Sequence, residues 1–122
     1  AKIRLENVHF YPGTIIPVEP YASLEVERLG SFLFNNPKVT VEISGHIFLS
    51  KKEIEAGEAR DESNLSGRRA QAVCGMLIGF GVNQTRLRCV GHGAKRYLHL
   101  TDDSYSKEAQ LNRRVEVEIL TK

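Results

Sequence analysis

Two carboxylates and two arginines stand close together in the middle of the chain. Asp61 and Glu62 end the charged stretch "LSKKEIEAGEARDES", and Arg68-Arg69 follow within a segment of helical spacing. Acids just ahead of a helix interact favourably with its macrodipole. An arginine at the edge of a buried stripe can pair with a nearby carboxylate or present its planar fork to an anion. This is chemistry for holding a charged group. No Ser-His-Asp, Cys-His or paired-carboxylate arrangement is suggested, so the chain is not expected to be an enzyme. His46 and His92 each follow a glycine at a strand end and are placed to approach one another. Metal ligation would want a third donor at short spacing, and the sequence offers none. "GHG" at Gly91 to Gly93 lacks the Gly-Lys-Ser/Thr continuation of a phosphate loop and reads as a tight turn. Neither metal nor cofactor is expected.

Strands and helices must position these groups. "KVTVEIS" sets Val39, Val41 and Ile43 against Lys38, Thr40 and Glu42, and "RVEVEIL" sets Val115, Val117 and Ile119 against Arg114, Glu116 and Glu118. "KIRLE" and "RLRC" alternate in the same way. Period-two alternation predicts one buried and one wet face, whereas a sheet covered on both sides would carry continuous apolar runs. The helices are therefore expected on one face. The first starts at Glu19-Pro20, with proline near its first position, and buries Ala22, Val26, Leu29 and Leu33. "NNP" at 35–37 ends it. The second starts near Asn64 or Ser66, buries Ala70, Val73, Leu77 and Phe80, and stops at Gly79 and Gly81. A long loop with a helical turn near 106–110 leads to the last strand. The order is βαβαββ, a two-layer α+β sandwich with a mixed four-stranded sheet.

At 122 residues and 41% apolar content the chain fits one domain, 1–122. Seventeen bases against 15 acids leave a net charge of +2, too little to imply nucleic acid, even with the doublets Arg68-Arg69, Lys95-Arg96 and Arg113-Arg114. The longest uncharged apolar run, Val73 to Val82, is too short to span a bilayer, and the opening "AKIRLENVHF" has no signal-peptide pattern. A soluble domain, cut from a longer exported protein, is the expectation. Cys74 on the second helix and Cys89 on the next strand could form a disulfide; two buried free thiols are the plainer reading.

Four pieces in order, "NVHFYPGT", "NNPKVTVEISGH", "LSGRRAQAV" and "NRRVEVEI", with "RLRCVGHGAKR" before the last, resemble the OmpA-like domain of Gram-negative envelope proteins. That resemblance covers nearly the whole chain and implies non-covalent peptidoglycan binding through the diaminopimelate of the stem peptide. It places the domain in the periplasm, with any membrane tether supplied by other parts of the parent protein. Diaminopimelate offers an ammonium and a carboxylate on one carbon, which call for an anion and a guanidinium. Arg69 matches the family arginine of "LSxxRA". Gly45-His46 match the start of the family's "GHTD", but Ile47 and Phe48 follow, so the aspartate is missing. The usual asparagine position falls on Glu62, and the crossover carries an insertion near 49–62.

The resemblance thus implies that Arg69 grips the carboxylate, while Asp61, or failing that Glu62, folds back to grip the ammonium. Asn64 replaces the lost amide, backbone N–H groups from Asn64 to Ser66 complete an anion site, Thr14 closes one wall, and Arg113 contacts the ligand. Of Arg113 and Arg114, one is expected to turn inward and the other to face solvent. The alternative is a decayed site whose insert serves an envelope protein partner.

Overall fold

The computed structural model describes residues 2–61 and 64–121, with side chains from Val8 onward. In chain order the elements are β1 (Lys2–His9), α1 (Tyr21–Asn35), β2 (Thr40–Gly45), α2 (Lys51–Glu55), α3 (Leu65–Phe80), β3 (Leu87–Gly91), α4 (Lys107–Asn112) and β4 (Arg114–Thr121). The strands form one mixed sheet in the order β1-β4-β2-β3. β4 runs antiparallel to both β1 and β2, and β2 and β3 are parallel. A parallel pair needs a crossover, and α3 with the segment before it supplies one.

One face of the sheet meets α1 and α3. Val41, Ile43, Val115 and Val117 pack there against Ala22, Val26, Leu33, Ala70, Val73 and Leu77. These are the residues that period-two and helical spacing single out. α1 begins at Tyr21, with Pro20 as its N-cap, so the proline stands one position earlier than expected. Phe80 is half exposed rather than buried, because it falls in the last turn of α3. Its ring lies against Gly30 of α1, where a Cβ would come within 2.4 Å of Phe80 Cδ1.

The other face is only partly wet. Ser44, His46, Arg114 and Glu116 all point away from the helices yet are buried. The loop after β3 covers them and is held there by side chains from the end of α4 and the start of β4. The Asn112 amide brackets this loop, accepting from Leu98 N at 2.6 Å and donating to the His99 carbonyl at 2.8 Å. Arg114 Nη2 donates to the Arg96 carbonyl at 2.7 Å. Alternation tells which side of a strand a residue faces; it does not tell what lies over that side.

Cys74 and Cys89 are joined in a disulfide, so the free-thiol reading does not hold. α3 packs along β3, and the Cβ atoms of one helical turn and one strand position meet. The bridge closes a loop spanning 15 positions and staples the helix to an edge strand. Closing a loop of that size stabilises a fold by about 3 kcal/mol through the unfolded chain's lost entropy. Reduction should therefore lower the unfolding free energy by about 3 kcal/mol, read from urea denaturation with and without dithiothreitol.

Candidate functional site

The first turn of α3 lies directly on the ends of β2 and β3. Gly45 and Gly91 are register partners on these parallel strands. A Cβ on Gly45 would sit 1.9 Å from the Ser66 carbonyl oxygen, and one on Gly91 would sit 2.3 Å from Gly67 N. Only glycine at both strand ends lets the helix approach so closely. Asp61 then caps the helix: its carboxylate accepts from Ser66 N at 3.0 Å and from Ser66 Oγ at 2.6 Å. Ser66 Oγ in turn accepts from Gly93 N at 2.9 Å, tying the cap to the turn after β3.

Arg69 follows one turn later, and only 1% of it is exposed. Its guanidinium is a bracket for backbone. Nε donates to the Thr14 carbonyl at 2.9 Å, Nη1 to the His46 carbonyl at 3.1 Å, and Nη2 to the Tyr11 carbonyl at 3.2 Å. The Phe10 ring lies 5.2 Å away across the cation's face. Burial, reinforced by the charge of Arg113, lowers the Arg69 pKa to about 10, with Asp61 opposing the shift. The group stays a cation at neutral pH, and two of its five N–H groups make no hydrogen bond among the described residues.

Arg69 lines a cavity of about 170 Å³. Arg69, Arg113 and Arg60 line it, with Phe48, Leu49 and Gly13 among the remaining wall residues. Arg113 is fixed by Gln110 Oε1 at 2.9 Å and the Ser104 carbonyl at 2.8 Å, and its guanidinium lies 5.0 Å from the Phe48 ring centre. Burial lowers its pKa as well. Arg60 pairs with Glu53, whose pKa that bond holds below the usual carboxylate range. No carboxylate stands in the wall among the described residues. Nor do they contain a group of three or more His, Cys, Asp or Glu side chains able to hold a metal.

The predicted residues therefore divide. Arg69 and Arg113 converge on the cavity, whereas Thr14 does not line it and touches the site only through its carbonyl, which accepts from Arg69 Nε. Asp61 caps α3 with each of its oxygens accepting from Ser66, as the ordinary acid of a helix N-terminus, and makes no ion pair with Arg69 among the described residues. The Ser66 N–H is consumed by the same contact. Asn64 is exposed at the N-cap with left-handed backbone, and its side chain makes no capping bond. Glu62 lies outside the described residues. Arg113 and Arg114 both turn inward, against the expectation that one faces solvent, since Arg114 Nε meets Glu116 Oε2 at 2.9 Å beneath the covering loop. Sequence reasoning missed Arg60, which sits in a run of charges with nothing to distinguish it. His46 and His92 approach one another as their places after strand-end glycines suggest, their rings stacked at 5.6 Å. Each neighbours a carboxylate: His46 stands 3.7 Å from Glu116, and His92 3.3 Å from Glu42.

A family model described as the OmpA family matches residues 10–113. The chain belongs to the OmpA family. Among curated relatives, outer membrane porin F of Pseudomonas fluorescens is 30% identical over 102 residues. That match takes in 84% of this chain but only 29% of the porin. Among solved structures, the periplasmic domain of Helicobacter pylori MotB superposes with a TM-score of 0.73 at 20% identity, covering 100% of this chain and 81% of that one. The peptidoglycan-associated lipoprotein of Burkholderia pseudomallei superposes with a TM-score of 0.67 at 17% identity, covering 94% and 88%. Both likenesses show the α+β fold of OmpA-like domains.

Arg69→Met should cost at least about 3 kcal/mol, because three carbonyls lose a charged donor at once. Arg69→Lys should recover less than half, since one ammonium cannot reproduce the fork. Urea denaturation checks both; a loss below about 0.5 kcal/mol for Arg69→Met would remove the bracket's structural role.

Proposed function

We propose that this domain binds peptidoglycan non-covalently and anchors a periplasmic envelope protein to the cell wall, without catalysis. In this reading a carboxylate of the stem peptide, that of diaminopimelate, enters the arginine cavity. The observation that carries it is the convergence of Arg69 and Arg113 on one cavity whose described wall holds no acid. Buried cations lining a cavity favour an anion, and a carboxylate can accept from two guanidinium forks at once. Family membership supports the same assignment, as does a relative whose name associates it with peptidoglycan. The disulfide suits an oxidising compartment such as the periplasm. No helix among the described residues is long and apolar enough to cross a membrane, so a membrane tether would come from another part of the parent protein.

Holding diaminopimelate as a complete zwitterion would also require an anion, and Phe48 stands where the family pattern has its aspartate. That observation favours a second reading, in which the site has decayed and the domain serves an envelope protein partner.

Pull-down with purified sacculi separates the two. The first reading expects saturable binding, competed by free diaminopimelate. It also expects Arg60→Ala to weaken binding about tenfold, as loss of a charged contact at the cavity rim. Arg60 is exposed and its removal leaves the Arg69 bracket intact. Absence of any sacculus binding would leave the protein-interaction reading.

A further inference from the structure

Three residues past the end of β2 build one wall of the arginine cavity. Ile47 and Leu49 are buried in the small apolar cluster, while the ring of Phe48, between them in sequence, meets Arg113 with the guanidinium 5.0 Å from its centre. The hydrogen bonds that fix Arg113 do not involve that ring, since Gln110 of α4 and the Ser104 carbonyl just before α4 accept them. Phe48 therefore covers a cation whose position is set elsewhere. Arg69 and Arg113 are only 1% and 6% exposed. Pro12, Leu49 and Leu65 add apolar wall beside them, a surround that screens charge poorly. The neighbouring acids are engaged outside the wall: Asp61 accepts from Ser66 with each oxygen, and Glu53 pairs with Arg60.

A carboxylate and an ammonium fare differently in such a space. The carboxylate exchanges its water for guanidinium donors and shares its charge between two cations. An ammonium carried beside it meets no carboxylate in the wall among the described residues and stands near like charge. The chain behind the carboxylate meets phenyl and leucine surface. An amide in place of the carboxylate loses the charge, and its NH₂ faces guanidinium groups that can only donate. Phe48 decides the matter, because an aspartate in its place would neutralise Arg113 and offer an ammonium its acceptor.

We propose that Phe48 is a specificity-determining residue of the arginine cavity: by covering Arg113 without neutralising it, the ring makes the cavity select an aliphatic carboxylate by its own charge, with no call on a neighbouring ammonium, and reject the amide. This deepens the cell-wall reading above and rests on it only for the ligand's source. The class includes the terminal carboxylate of a peptide, whose own amine is spent in an amide bond.

The probes are diaminopimelate, pimelate (a dicarboxylate of equal length without the ammonium groups) and the neutral diamide of pimelate. Each is titrated against the whole chain while NMR follows the amides of Gly13, Phe48 and Leu49. Pimelate should bind at least as tightly as diaminopimelate, and the diamide at least about tenfold more weakly than pimelate. Phe48→Asp should weaken pimelate at least about tenfold relative to diaminopimelate, whereas Phe48→Asn, polar but uncharged, should not. A clear preference of the unaltered chain for diaminopimelate over pimelate would overturn the assignment, and its loss in Glu62→Gln would give the anion to that residue. No response at these amides, or the same reversal in Phe48→Asn as in Phe48→Asp, would overturn it too. Sacculus pull-down alongside keeps the two proposals apart. Sacculi released by diaminopimelate but not by pimelate keep the cell-wall function and remove this specificity; pimelate bound at the cavity by a chain that ignores sacculi keeps the specificity and removes its source.

Discussion

A buried guanidinium that binds backbone sets the geometry of the end of this domain that carries the arginine cavity. Arg69 joins the first loop, through Tyr11 and Thr14, to the exit of β2, through His46, while α3 carries it. Its contacts span 58, 55 and 23 positions of sequence. Carbonyl dipoles replace the water lost by the cation, and the Phe10 ring covers its face. A carboxylate partner would satisfy the charge more fully, but it would also neutralise the cavity. Solvating the cation with carbonyls leaves a net positive charge beside an open space. Structural bracket and anion receptor are then compatible uses of one side chain, because the fork has five donors and the bracket takes three.

That bracket works only if α3 begins in the right place. The glycine pair at the ends of β2 and β3 admits the helix, the Asp61 cap fixes its first turn, and the disulfide holds its middle to β3. These constraints act at successive heights along one helix, so its rotation has little freedom. The carboxylate of Asp61 is therefore more useful at the cap than it would be over Arg69. A capping acid typically contributes about 0.5–2 kcal/mol, and here it also immobilises the turn that carries His92 and Gly93.

Much of this was legible in the sequence. Val41, Ile43, Val115 and Val117 declare the buried face by alternation, and Ala70, Val73 and Leu77 declare the helix that meets it. The end of the first helix at "NNP" follows from the restriction before proline. What could not be read shares one character: it depends on backbone groups or on neighbours distant in sequence. Nothing about Tyr11, Thr14 or His46 marks their carbonyls as acceptors for Arg69. Arg114 and Glu116 occupy the nominally wet side of β4, and only the packing of residues 96–99 makes that side dry. Cys74 and Cys89 meet because α3 lies along β3, a placement that spacing alone leaves open. Asp61 illustrates the opposite case, where the ordinary role of an acid before a helix is the one the fold uses.

The departures from the family pattern are physically linked rather than independent. Ile47 and Phe48 replace the threonine and aspartate of "GHTD", and the chain after them carries the extra segment with α2. Ile47 and Leu49 point into the small apolar cluster that seats Ile54 and Leu65, so the first replacement provides part of the surface on which the segment packs. Burying such side chains is worth about 1.5–3 kcal/mol each, enough to hold a short helix that would be marginal alone. Phe48 points the other way and lies against Arg113. An aspartate there would pair with the guanidinium and remove charge from the cavity; a phenyl ring covers the cation's face without neutralising it. Two adjacent apolar replacements after His46 therefore act together: Ile47 helps seat the inserted segment, and Phe48 keeps an acid out of the cavity wall among the described residues.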